Sequence, residues 1–255
     1  MKRILFATLF TLIATTFSFA QSPTPAPQLS RVQHITLNPG VRVEWMKFYQ
    51  TEMLPALKKG GVKQSIVLQV TQGDLRQFSI ITPLASFAEL DEPSALNKAL
   101  GQEAAQALTT KASRFYAEWR SSILVGRPEM GIAPTSTEPA KLAIATRLTI
   151  TPGRTAEYEK AFKENFLPAA KKTNVKGVLV AKMVTGGDTD EYRRLLLFDS
   201  HADMVKYQTD YTKAIAELKL SPAAPAGIIA HHESLIVRFV PELSIRPEPQ
   251  KAANK

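Results

Sequence analysis

The sequence predicts an α+β fold in which two tandem βαββαβ units close on each other as one barrel inside a single chain. Three observations predict it. Residues 39–63 align without a gap, at an offset of 113, onto residues 152–176, and eleven of the twenty-five positions are identical. Ordinary composition gives about one or two such matches by chance. Each copy then repeats the order strand, helix, strand, strand, helix, strand. Finally, right-handed crossovers put both helices of such a unit on one face of its sheet. The bare face that remains needs an apolar cover, and the twin unit supplies one.

The elements follow in order. Alternation from Val32 to Leu37 and from Ile144 to Ile150 reads as the first strand of each unit, with turns at Pro39-Gly40 and Pro152-Gly153. Helices follow, with one apolar stripe through Trp45, Phe48/Tyr49, Met53 and Ala56/Leu57, and another through Tyr158, Phe162, Phe166 and Ala169/Ala170. Gly60-Gly61 and Asn174 are expected to end these helices in the left-handed conformation. Pro55 and Pro168 fall near the helix end, where a kink costs least. Strand pairs are expected at residues 65–71 with 77–82 and 178–184 with 193–198, second helices at 93–119 and 202–220, and last strands at 122–126 and 235–240. This is the ferredoxin-like split unit, written twice.

Outside the units, residues 1–20 have a basic start (Lys2, Arg3), a weakly polar run from Ile4 to Phe17, and small Ser18 and Ala20, the order of a secretory signal peptide cleaved near Ala20. The mature chain is therefore expected to be exported, periplasmic or extracellular. Its parts are a Pro-rich spacer at 21–30, a first unit at 31–130, a linker at 131–140, a second unit at 141–243 and a disordered tail at 244–255.

Composition excludes several classes. The 255 residues hold no cysteine, which rules out disulfides, thiolate metal sites and a cysteine nucleophile. The formal charge of +9 falls to +7 without the leader, because two of the 32 basic residues and none of the 23 acidic ones lie there. The excess is spread evenly over both units with no basic stripe, so no nucleic-acid partner is expected. No later run is long enough to span a bilayer.

The strand followed by Leu37-Asn38-Pro39-Gly40 or Ile150-Thr151-Pro152-Gly153, the amphipathic helix with Glu44 or Glu157, Leu54-Pro55-Ala56 with Leu167-Pro168-Ala169, and the lysine pairs at 58–59 and 171–172 resemble the dimeric α+β barrel superfamily, and within it the NIPSNAP-like domains. The resemblance covers about 210 residues. It implies two units facing each other across a barrel, each with strand order 4-1-3-2. Members include cofactor-free monooxygenases, haem enzymes and proteins without established activity, so membership alone selects no function.

Strand alternation sorts the faces. Ile35/Leu37 and Leu148/Ile150 should lie under the helices, which points His34 and Arg147 into the barrel. The same parity puts Ser65, Gln69, Gln77, Lys182, Arg194 and Arg238 on the inner face. Arg147, Arg194 and Arg238, with Lys182, form the expected ligand-binding set, since convergent guanidiniums suit a carboxylate or phosphate. His34 is the candidate acid or base. A haem reading would need His201, His231 or His232 as axial ligand; His201 sits where a cap is expected, and His231-His232 in a loop. No metal site is expected, because His231 and His232 are adjacent and the Asp188/Asp190 turn lacks a downstream ligand. The expectation is an exported small-molecule-binding or scaffold domain with a basic interior, taking a small anionic or aromatic partner, with no cofactor and with oligomers open. The alternative is a cofactor-independent monooxygenase or isomerase. An open interior reaching His34 or the arginines would favour the alternative, and a filled one a scaffold.

Overall fold

A computed structural model describes residues 28–134, 138–221 and 224–246. The expected leader at 1–20 and most of the spacer lie outside these residues. Eight strands form a closed barrel in which every neighbouring pair is antiparallel: β1 (Leu29–Leu37), β2 (Ile66–Gln72), β3 (Gln77–Leu84), β4 (Tyr116–Gly126), β5 (Leu142–Ile150), β6 (Gly177–Thr185), β7 (Glu191–Phe198) and β8 (Ile229–Phe239). Around the wall they run β1-β3-β2-β8-β5-β7-β6-β4. Within each half the order is therefore fourth, first, third, second. Two seams join the halves, one between β2 and β8 and one between β4 and β6.

Helices cover the outside of the wall: α1 (Arg42–Phe48) continuing into α2 (Leu54–Lys59), α3 (Ala95–Leu100), α4 (Gln102–Ser113), α5 (Thr155–Ala161) continuing into α6 (Leu167–Ala170), and α7 (His201–Glu217). Trp45, Phe48 and Tyr49 pack with Ile35, Leu37 and Phe78, while Tyr158 and Phe162 pack with Leu148, Ile150 and Tyr192. Each helix layer thus makes its own core against the wall, worth roughly 1.5–3 kcal/mol for each large side chain buried.

The proline kinks take a specific form. Tyr49–Met53 and Phe162–Phe166 are single π-helical turns, in which Leu54 N–H reaches Tyr49 O and Leu167 N–H reaches Phe162 O. Pro55 and Pro168 have no N–H to donate, and their rings would strike the carbonyl four residues back. The wider turn moves that carbonyl aside.

Four expectations are corrected. The helix expected over 93–119 is two helices broken at Gly101, and the chain is already strand from Tyr116. Likewise β8 begins at Ile229, so His231 and His232 lie in a strand. Gly60 ends α2 at φ −77°, and Asn174 is not left-handed either; only Gly61, at φ 90°, takes that conformation. Ser244 to Arg246 belong to the fold, because Ile245 bridges Ser65, and the linker start is docked through Ile132 on Val178.

Candidate functional site

The barrel is hollow. A cavity of about 830 Å³ runs through it, lined by inward side chains of all eight strands. One part is apolar, with Val32, Leu124 and Met183 on one side and Leu68, Val70 and Val237 on the other. Leu179 and Leu195 also face this space. The other part is polar and is built from register partners across neighbouring strands.

His34 on β1 pairs in register with Ser79 on β3 and Arg120 on β4. Arg147 occupies the matching place on β5, between Arg193 on β7 and Glu233 on β8. Ser79 Oγ lies 2.9 Å from His34 Nδ1, and across the lumen Arg193 Nη1 meets His34 Nε2. A guanidinium only donates, so Nε2 is the acceptor, and the ring proton sits on Nδ1 and is given to Ser79 Oγ. This is the reverse of an activated serine, whose hydroxyl would donate to the imidazole, so Ser79 is not primed as a nucleophile. Burial, followed by the Arg193, Arg147 and Arg120 guanidiniums, pushes the His34 imidazole down from 6.5 to about 3. It is neutral at physiological pH.

Glu191 is fully buried and holds two guanidiniums. Arg147 Nε donates to one carboxylate oxygen at 2.6 Å and Arg193 Nε to the other at 2.7 Å. Burial also lowers Arg193 from its ordinary value, with Glu191 opposing that shift. Because Nε is the atom used in both contacts, the terminal nitrogens remain for other partners. Arg193 gives one to His34, and those of Arg147 have no hydrogen bond to any described residue. Glu233, beside Arg147, also lines the cavity and has neither hydrogen bond nor ion pair among the described residues. Toward the mouth, Arg120 Nε lies 2.5 Å from Glu118 Oε1.

The expected inner set is corrected at two of its four ligand-binding residues. His34 and Arg147 do face the cavity, as does Gln77. Arg194 is among the cavity-lining residues as well, but its guanidinium is turned to the helix side, 4.6 Å from the Phe166 ring centroid. Arg238 also points outward and donates to Gln69 Oε1 at 2.9 Å, and Lys182 lies over the Tyr192 ring at 5.5 Å. Ser65 and Gln69 do not line the cavity either. The residues that parity missed are Arg193, Glu191 and Glu233. Nor is the interior simply basic, because Glu118, Glu191 and Glu233 stand among its five arginines, of which Arg127 and Arg194 turn their guanidiniums to Glu159 and the Phe166 ring. None of His201, His231 and His232 lines the cavity, and no cluster of metal-ligating side chains is found among the described residues. The Asp188/Asp190 turn is closed on itself, with Asp190 N–H on Asp188 Oδ1 and Thr155 Oγ1 on Asp190 Oδ1.

No protein-family model and no curated protein matches this chain. Solved structures do. A protein proposed to be a monooxygenase from Lactobacillus acidophilus NCFM covers 84% of this chain with 94% of its own, at 9% identity and a TM-score of 0.55. A second such protein, from Fusobacterium nucleatum subsp. nucleatum, gives 84% and 93%, 10% identity and 0.54. An anthrone oxidase-like protein gives 89% and 97%, 13% identity and 0.55. At these identities the likeness is one of fold, and that fold is the α+β barrel.

Proposed function

We propose that this chain is a cofactor-independent α+β-barrel enzyme whose reaction begins with proton transfer from a small, largely apolar carbonyl compound held in the cavity. One observation carries the reading. Glu233, a carboxylate with neither hydrogen bond nor ion pair among the described residues, is the register partner of Arg147, whose terminal nitrogens donate to no described residue, at the polar part of an otherwise apolar cavity. Arg147 and Arg193 each keep guanidinium N–H groups beyond those given to Glu191, which suits the site to negative charge that develops during the reaction. Glu233 takes a proton from a carbon acidified by the carbonyl, either next to it or conjugated with it through a ring, and the enolate oxygen is held by Arg147 and Arg193. The enolate then either takes the proton back from Glu233 at another carbon, an isomerisation, or gives its electrons to dioxygen. With anthrone as a probe, the second route consumes one O₂ and yields anthraquinone and one water. The cavity's emptiness favours such a reading over a scaffold, which would fill that space, and the likeness in fold to an anthrone oxidase-like protein supports the choice of probe.

The test is oxygen uptake and deuterium wash-in at the acidic carbon of anthrone and related enolisable ketones. Wild type is expected to catalyse at least one of the two, and Glu233→Gln to lose about 100-fold or more. No catalysis by wild type, or full activity in Glu233→Gln, would sink the proposal. Export, read from residues 1–20, and descent of both halves from one ferredoxin-like unit of NIPSNAP-like type, read from the repeated motifs, belong to the same proposal. A secreted protein beginning at Gln21 is the expected sign of the former.

A further inference from the structure

The barrel wall is closed, yet β4, like β8, is paired along only part of one edge. β4 pairs with β1 along its whole length, from Tyr116 to Val125, but with β6 only from Ile123 to Gly126. Where the wall opens, Gly186 backs onto Ser121 and Ser122. Between Tyr116 and Ser121 the outer edge of β4 has no strand beside it among the described residues, and Ala117 through Ser121 are all exposed. Gln28, the first described residue, lies at the far end of β4, where its carbonyl accepts from Gly126 N–H. An unpaired strand edge is a row of N–H and C=O groups that can template another strand.

The side chains on this edge identify the strand that fits. They read Glu118-Trp119-Arg120, with Trp119 52% exposed despite its size. If two copies of the segment pair antiparallel about a two-fold axis at Trp119, Glu118 of each copy falls opposite the partner's Arg120, and the two Trp119 rings meet. Opposite charges directly across antiparallel strands, and aromatic pairs, are favourable cross-strand partners. A two-fold interface also requires such self-complementarity. The corresponding free edge of β8 reads His231-His232-Glu233, which has neither the balanced charge pair nor a large exposed ring of this kind. We propose that the free edge of β4 is a homodimer interface, formed by antiparallel pairing of residues 118–120 with the same segment of a second copy. Glu118 and Arg120 also line the cavity, so the dimer places the partner's Arg120 at the mouth of each barrel.

Sedimentation velocity over a range of concentrations at low and high salt tests this, with tryptophan emission as a second readout. The chain has two tryptophans and Trp45 is fully buried, so a concentration-dependent blue shift reports Trp119. Wild type is expected to dimerise reversibly, more weakly at high salt. Glu118→Arg places like charges together at two symmetric contacts and is expected to weaken the dimer by about tenfold or more. The double variant Glu118→Arg/Arg120→Glu swaps both partners and is expected to restore it. Wild type that stays monomeric, a dimer indifferent to Glu118→Arg, no recovery in the double variant, or open-ended oligomers from pairing of unlike edges would each overturn the proposal. Circular dichroism checks that the variants fold. Were either variant misfolded, the wild-type emission shift alone would decide.

Discussion

At the scale of single residues, His34 makes a testable link between structure and pH. The folded chain keeps its imidazole neutral down to about 3, whereas an unfolded chain protonates it near 6.5. Between those values the unfolded state binds the extra proton, so this residue costs stability as pH falls through the window and costs nothing above it. Urea midpoints of wild type and His34→Gln measured at pH 7.5 and 4.5 are therefore expected to diverge, wild type losing more on acidification. Equal losses would mean that the ring is free to protonate in the fold. The inward position of His34 was legible in the sequence because β1 alternates cleanly, whereas β7 does not. Leu195, Leu196 and Leu197 are apolar on both faces, since the wall has helices outside and a partly apolar cavity inside, so alternation could not tell Arg193 from Arg194. The same ambiguity at Leu235, Ile236 and Val237 exchanged Arg238 for Glu233.

At the scale of elements, the repeated order of strands and helices was legible because the apolar stripes are regular, but the ends were not. Gly60 shows why. Its backbone is ordinary, and what requires glycine is a neighbour: a Cβ there would lie 1.9 Å from the carbonyl oxygen of Ala95, at the start of α3. Such a contact between distant segments leaves no local sequence signal. Gly61 is the opposite case, left-handed with open space around it. Gly60→Ala is expected to cost about 3 kcal/mol, because α3 must move, and Gly61→Ala about 1 kcal/mol, the strain of a left-handed alanine. Thermal unfolding of the two variants distinguishes these, and a Gly60→Ala protein as stable as Gly61→Ala would show that α3 yields easily. The early start of β4 escaped notice for a related reason. Among the described residues Tyr116 to Ser121 has one strand neighbour, and all but Tyr116 are exposed, so its pattern fits neither a buried strand nor a helix stripe.

At the scale of the molecule, the two halves depend on each other. Each helix-side core lies between helices and the outer face of the wall and takes residues from the other half, Val240, Leu243 and Ile245 in the first core and Met130 in the second. The inner faces add to this. Val32 and Leu124 of the first half meet Met183 of the second, and Leu68 and Val70 meet Val237 and Leu197. Separation would expose these side chains and leave strand edges open at both seams. Arg127 adds a clasp, since its side chain reaches from the end of β4 to Glu159 on α5, which also accepts from Tyr192 Oη at 2.5 Å. Without cysteine there is no covalent staple, so non-covalent closure must hold the barrel. The halves are therefore expected to unfold in one transition. Trp45 reports the first half in a Trp119→Phe background, and Tyr158→Trp, at the matching place in the second, reports the other once Trp45 and Trp119 are replaced by Phe. In each variant the urea midpoint by fluorescence should coincide with that by far-ultraviolet circular dichroism. A fluorescence midpoint displaced from the dichroism midpoint in either variant would show that one half melts alone, and that the cavity between the halves opens before the fold is lost.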